Sequence, residues 1–191
     1  MLAVACLVLL GDALVVARRL EVPAQAASLD RVVLHDVRSL VPPEPEAQPG
    51  PIAIPEDPYA PEAVVRIGTI TIPKLGLEHD LFSGVTLNVI DHGPSHWPGT
   101  ALPGQPGNAV IAGHRVTHDH PFLHIDDLRP GDQVIFDVSG VRSTYRVTGS
   151  EIVTPDAVWI ANQTATPTAT LYACHPLHSK KQRYVVHLAL A

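Results

Sequence analysis

The sequence predicts an all-β domain, a barrel or a sandwich, carrying only short helical turns. Three observations predict it. From residue 63 onward, short runs rich in Val, Ile, Thr and Tyr follow one another. Gly and Pro punctuate almost every junction between them. Helical patterns are few and brief, so the alternation of strand and long helix that builds a parallel α/β sheet is missing.

The elements follow in chain order. "AVVRIGTITIP" (63–73) alternates apolar and polar residues, with Val65, Ile67 and Ile70 or Ile72 as inward candidates. "GVTLNVIDHG" (84–93) reads as a helical turn. "NAVIAG" (108–113) is a short apolar run ending in glycine, a buried strand. "HPFLHIDDL" (120–128) is the strongest helical turn. "DQVIFDVSG" (132–140) and "VRSTYRVTGSEIV" (141–153) read as strands, as do "TATLYAC" (168–174) and "RYVVHLAL" (183–190). Aromatic residues make up only 5% of the chain, so Val, Ile and Leu must fill the core. No internal repeat is present.

Two segments precede this domain. Residues 1–17, "MLAVACLVLLGDALVVA", are nearly all apolar. Residues 1–20 are therefore expected to form a membrane anchor, or else a signal segment, although the run is shorter than the roughly 20 residues of a spanning helix and contains Asp12. Residues 21–62 form an acidic, Pro-rich linker. Within it, Leu29, Val32, Val33, Val37 and Leu40 recur at helical spacing behind Ser28, a plausible N-cap, which predicts a short helix over 28–40. "VPPEPEAQPGPIAIPEDPYAPE" (41–62) cannot form a core of its own and reads as an extended spacer that lets the domain work at a distance from the membrane, and the longer segment 28–62 is able to cover a site on the domain.

The net charge is −6, and it lies in the linker, where two arginines face eight acids. Residues 63–191 carry nine basic against ten acidic residues. A nearly neutral domain argues against a nucleic-acid partner. Of the two cysteines, Cys6 lies in the leader. The domain thus holds one thiol, Cys174, and neither an internal disulfide nor a Cys-based zinc site is available to it.

"TLYACHPLHSKKQRYVVHLAL" (170–190) concentrates the chemistry. A lone cysteine is most often a small buried hydrophobe. Cys174, however, ends a strand, and an exported domain has little reason to keep a free thiol that oxidises. Arg183 opens the next strand, so the loop between them can set the two side by side. There a guanidinium lowers a thiol's pKa and donates to an oxyanion, although an isolated arginine is more often one half of a surface salt bridge. His114 ends the strand "NAVIAG" after Gly113. A histidine at a strand tip is placed for proton transfer, whereas most single histidines are structural. Spacing shows that each residue sits at a strand end; it does not show that they meet.

These residues and their surroundings resemble the sortase family, membrane-anchored cysteine transpeptidases of Gram-positive surfaces. The resemblance runs from about residue 63 to the C-terminus. "IGTITIPKLGL" resembles the first strands, "HWPGTALPGQPGNAVIAGHR" the approach to the catalytic histidine, and "PFLHIDDLRPGD" the turn after it. "TLYAC" resembles the TLxTC motif and "RYVVHLAL" the arginine strand. "PGTALPGQPGN" and "CHP" are nearest to the class E type. The resemblance implies a closed β-barrel with Cys174 as nucleophile, His114 as acid and base, and Arg183 as oxyanion or substrate stabiliser. It places Ala173 and Tyr172 near the substrate. Ala173 stands where the family usually has threonine, which removes one hydroxyl from the site. Tyr172 offers a compensating contact or points into the core.

The implied reaction cleaves an LPxTG- or LAxTG-like sorting signal between Thr and Gly. The acyl group then passes to an amine of a cell-wall precursor or pilin. The implied partners are surface proteins carrying that signal and, through the N-terminal segment, the cell membrane, with the domain on its outer side. No cofactor is implied. Three other readings compete. "HRVTHDHPFLH" sets His114, His118, His120 and His124 close together, and with Asp119 they are a conceivable zinc site. A non-catalytic extracytoplasmic β-domain is the second. A papain-like hydrolase is disfavoured, because it wants its cysteine at a helix N-terminus and its histidine downstream.

Overall fold

A computed structural model describes residues 50–191. The expectations for the segment 1–20, for the helix over 28–40 and for the linker up to residue 49 fall outside the described residues.

Eight strands close into one barrel. They are β1 (Val65–Ile72), β2 (Leu77–Ser83), β3 (Ser95–His96), β4 (Gly107–Ala112), β5 (Gln133–Val138), β6 (Val141–Val153), β7 (Pro167–His175) and β8 (Gln182–Leu190). Around the barrel the order is β1-β2-β3-β4-β7-β8-β6-β5. Closure leaves no open sheet edge, which suits a domain built of short strands. One α-helix, α1 (Leu87–Ile90), and several 3-10 turns, among them Ile125–Asp127, occupy the connections. The two sequence stretches expected to turn helically, 84–93 and 120–128, contain α1 and that 3-10 turn.

Strand β1 presents Ile70 and Ile72 to the interior, both fully buried. Val65 does not follow them. The register with β2 shifts between Arg66 and Gly68, and Val65 beyond the shift is 50% exposed. The bulge shifts the alternation by one residue and brings Ile67 against the core beside Ile70 and Ile72, whereas Val65, the first residue of the strand, ends in solvent. β5 and β6 are joined through Ser139 and Gly140, both at positive φ (53° and 77°), a two-residue hairpin whose twist matches the strands. Strands β2 and β3 were not expected from the sequence. β2, "LEHDLFS", buries only Leu81 fully, and β3 is two residues long.

The core runs through the barrel. Ile70, Leu81, Ile111, Phe122, Phe136, Tyr145, Leu171 and Leu188 all belong to it. Removing one such side chain to alanine costs about 2–5 kcal/mol. β4 is buried along its whole length. Ala109 and Ile111 point inward, while Val110 packs outside the barrel with Trp97 and Ala161, against Tyr172. β4 runs parallel to β7, with Ala112 opposite Tyr172. Parallel neighbours buried on both faces need apolar residues on both, which accounts for the unbroken run "AVIA".

Residues 50–62, the last part of the segment assigned to the linker, lie against the barrel. Ile52 donates its N–H to the Pro98 carbonyl (3.0 Å), and its own carbonyl accepts from Trp97 Nε1 (2.8 Å). Leu87 N–H donates to the Pro58 carbonyl (2.7 Å). The Glu62 carboxylate accepts from the N–H groups of Val85 (2.9 Å) and Thr86 (2.8 Å). A proline-rich stretch can supply carbonyls while asking for few partners for its own nitrogens, so it serves as a strap.

Candidate active site

Strand alternation decides which side chains reach the outside of the barrel. Along β7, Ala169, Leu171 and Ala173 belong to the interior cluster, which turns Tyr172 and Cys174 to the other face. β7 and β8 are antiparallel, and their register sets Cys174 directly opposite Arg183. Residues opposite each other in such a pair share a face, with Cβ atoms about 4.5–5.5 Å apart. Sheet register therefore starts the two side chains side by side on one face.

His114 arrives from β4. Beyond the Ala112–Tyr172 pair, Gly113 N–H donates to the Tyr172 carbonyl (3.1 Å), so the parallel pairing carries one residue past the strand. A Cβ on Gly113 would come within 2.9 Å of Cγ and 2.7 Å of Cε2 of Phe122, and closer still to Cδ2. Only glycine lets the chain turn against that ring. Cys174, His114, Arg183, Tyr172 and Ala173 all line one cleft of about 300 Å³. Ile54, Pro55 and Pro58 of the strap form part of its wall, with α1 and the Thr154–Ile160 loop around the rest.

Each group has its own setting. Cys174 is a free, half-buried thiol. Arg183 donates from Nη1 to the carbonyls of Lys180 (3.0 Å) and Gln182 (2.9 Å), which fixes the guanidinium over the β7–β8 loop. Tyr172 packs with Trp97, Val110 and Ala161. Burial pushes its phenol up to about 12; the Arg183 charge works against that and the Cys174 charge with it. Ala173 is 2% exposed and sits at the floor of the cleft with its methyl among core residues.

Two further groups went unnoticed in the sequence. Asp91, the residue capping the C-terminus of α1, holds His114: His114 Nε2 lies 2.7 Å from Asp91 Oδ1. The carboxylate can only accept, so Nε2 carries a hydrogen and the ring's rotation is fixed. Arg115, 2% exposed, follows His114 and ties it to the cysteine strand. Its Nη1 donates to Nδ1 of His175 (2.8 Å), and its Nη2 pairs with Asp126. Nε donates to the Leu123 carbonyl (3.3 Å), and the guanidinium lies 5.8 Å from the centre of the Tyr184 ring. Burial acts to raise the pKa of Asp126, but the hydrogen bond and charge of Arg115 outweigh it and leave the carboxyl lowered. A buried guanidinium between the residue after the histidine and the residue after the cysteine staples the two strand tips. Neither partner had a local pattern: "VIDHG" and "GHR" carry the residues, but what they touch is distant in the chain.

The histidines expected as a group separate. His118 joins His114 and Asp91, with Nε2 3.0 Å from Asp91 Oδ1. His120 is bonded to the Asp119 carbonyl, His124 faces Asp127 at 3.5 Å, and Asp119 faces His79 at 3.8 Å.

Among the described residues, fold and cleft together define a small β-barrel domain whose one thiol lines a cleft of about 300 Å³. The chain belongs to the sortase family: its residues 70–191 match the family's sortase domain. It is 26% identical over 133 residues to Sortase D of Bacillus subtilis, covering 68% of this chain and 66% of that one. It is 30% identical over 131 residues to Sortase SrtE1 of Streptomyces coelicolor, covering 60% and 37%. The chain thus spans less than two thirds of the length of these relatives. Among solved structures, a Sortase D5 transpeptidase of Clostridium perfringens superposes with a TM-score of 0.61 at 30% identity, over 66% of this chain and 79% of that one.

Proposed function

We propose that this chain is a cysteine transpeptidase of the class E type, acting on an LPxTG- or LAxTG-like sorting signal of surface proteins. The observation that carries the reading is the register of β7 on β8, which pairs Cys174 with Arg183 in the cleft that His114 also lines. The Cys174 thiolate attacks the Thr carbonyl, forming a C–S bond. Arg183 stabilises the oxyanion that develops. The C–N bond to glycine then breaks as the His114 imidazolium, its Nε2 held by Asp91, gives the Nδ1 proton to the leaving amine. An amine of a cell-wall precursor or pilin attacks the thioester, passes a proton to His114 and releases the thiolate. Ala173 and Tyr172 form the floor on which the peptide rests. Tyr172 keeps its phenol protonated and so offers a hydrogen-bond donor. We place the domain outside the cell membrane, tethered by the apolar N-terminal segment, with no cofactor.

The test uses a labelled LAxTG peptide with hydroxylamine as acceptor. A hydroxamate that forms with the full chain and vanishes in Cys174→Ala supports the reading. Product that persists without the thiol removes Cys174 as the nucleophile, and none under any condition returns the chain to the class of non-catalytic extracytoplasmic domains.

A further inference from the structure

The cluster around His114 has a second chemistry. Asp91, His114 and His118 each offer one ligand atom, and these atoms all lie within 4.8 Å of one another. Asp91 Oδ1 is the centre of the group, 2.7 Å from His114 Nε2 and 3.0 Å from His118 Nε2. The two imidazoles stack at 4.8 Å between centroids with 21° between planes, so both Nε2 atoms face the same carboxylate. Two imidazoles and one carboxylate are the donor set of an open zinc site, in which water fills the fourth position. Hard cations are poorly served, since Ca²⁺ takes six to eight oxygens and Mg²⁺ an octahedron of them.

The arrangement is held from outside the cluster. Asp91 is fixed by its own N–H, which donates to the Leu87 carbonyl at 2.8 Å, and α1 is in turn fastened to the strap at Pro58. His118 stands at φ 52°, a left-handed conformation that few non-glycine residues adopt; this turn folds its ring back onto that of His114. Zinc needs about 2.0–2.1 Å to each nitrogen, so the contacts at Asp91 Oδ1, now 2.7 and 3.0 Å, must lengthen to admit it.

We propose that Asp91, His114 and His118 bind a divalent transition-metal ion, with Zn²⁺ the fitting probe, and that the bound ion switches off transfer. The inhibitory half rests on the function proposed above. A metal on Nε2 of His114 takes the place of a proton. The ring then holds a single proton, on Nδ1, and can release it only by becoming an imidazolate, so no imidazolium remains to protonate the leaving amine. The ion is thus an inhibitor and not a cofactor, and its site is a different set of residues from the four histidines and Asp119 grouped by the sequence.

Binding is measured by titrating the full-length chain carrying Cys6→Ala and Cys174→Ala with Zn²⁺ in a calorimeter, which removes both thiols as competing ligands. One ion per chain is expected. Binding should weaken by at least about tenfold in His118→Ala and in Asp91→Asn, as loss of a direct ligand should cost no less than the loss of a partner behind one. Zn²⁺ should also raise the melting temperature of the parent and leave that of His118→Ala unmoved, which separates lost ligation from a misfolded variant. No binding at micromolar metal, or equal binding by the His118→Ala chain, overturns the site. With the thiol present, Zn²⁺ should suppress the hydroxamate reaction, and a chelator should restore it. Relative to its own metal-free rate, the His118→Ala chain should need at least about tenfold more metal for the same suppression. Binding without suppression overturns the inhibitory half alone. Binding by these ligands in a chain that never forms hydroxamate upholds the site and removes the transpeptidase reading instead.

Discussion

Arg183 and Arg115 are both arginines beside the thiol, and their settings give them different work. Arg183 faces the cleft from across the sheet, where a developing oxyanion would lie. Replacing it by alanine should lower kcat by about 10²–10³ with little change in stability, as removal of an oxyanion donor does elsewhere. Arg183→Lys should recover only part, because a point charge does not reproduce the guanidinium fork; single-turnover acylation rates check both. Arg115 touches no cleft atom and acts through His175 and Asp126. Arg115→Met should misplace the two strand tips and lower kcat by about tenfold to a hundredfold while leaving KM nearly unchanged. Asp126→Asn should fall between Arg115→Met and the parent, since the other guanidinium bonds remain. A fall in KM-limited binding with kcat intact would contradict the staple.

At the scale of elements, the tip of β4 depends on Gly113. Gly113→Ala drives a methyl into the Phe122 ring, and Phe122 is fully buried, so the ring cannot swing into solvent. The tip must shift instead, and activity should drop by more than the roughly 1–3 kcal/mol expected from overpacking in stability; a thermal melt beside a rate measurement separates the two. Element identity was legible wherever inward apolar residues dominated, as in "NAVIAG", "DQVIFDV" and "TATLYAC". It failed for β2, where Glu78 and Asp80 alternate with weakly buried positions, and for β3, whose two residues, Ser95 and His96, are polar yet buried. Their burial is imposed by neighbours and not by their own hydrophobicity. The strand-tip residues of the site stood out because each ends an apolar run. Asp91 and Arg115 did not, because their meaning lies in contacts formed across elements.

For the molecule as a whole, closure of the barrel passes through His96. It is 3% exposed, bridges β2 and β4 and directs Nε2 to the Ala101 carbonyl (2.9 Å) and Thr100 Oγ1 (3.0 Å). Its Nδ1 is buried without a hydrogen-bond partner. Burial lowers its pKa, with the backbone bonds opposing, so the folded state keeps the ring neutral. A folded pKa below the unfolded one gives stability that is complete above about 6.5, the ordinary histidine value, and is lost as pH falls from there towards the folded value. Melting temperatures should therefore decline below that pH, and His96→Gln should flatten the decline; an unchanged slope in the variant would assign the effect to other groups.

The stretch that runs from Ile54 to Pro58 lies before residue 70, where the match to the family begins, yet it shares a groove with Cys174. A peptide entering that groove meets a wall that is not barrel. On the function proposed above, peptide preference would be set partly by this short stretch outside the strands, and exchanging residues 50–62 with the matching stretch of a relative should move that preference while leaving the rate of the bond-making step as it was.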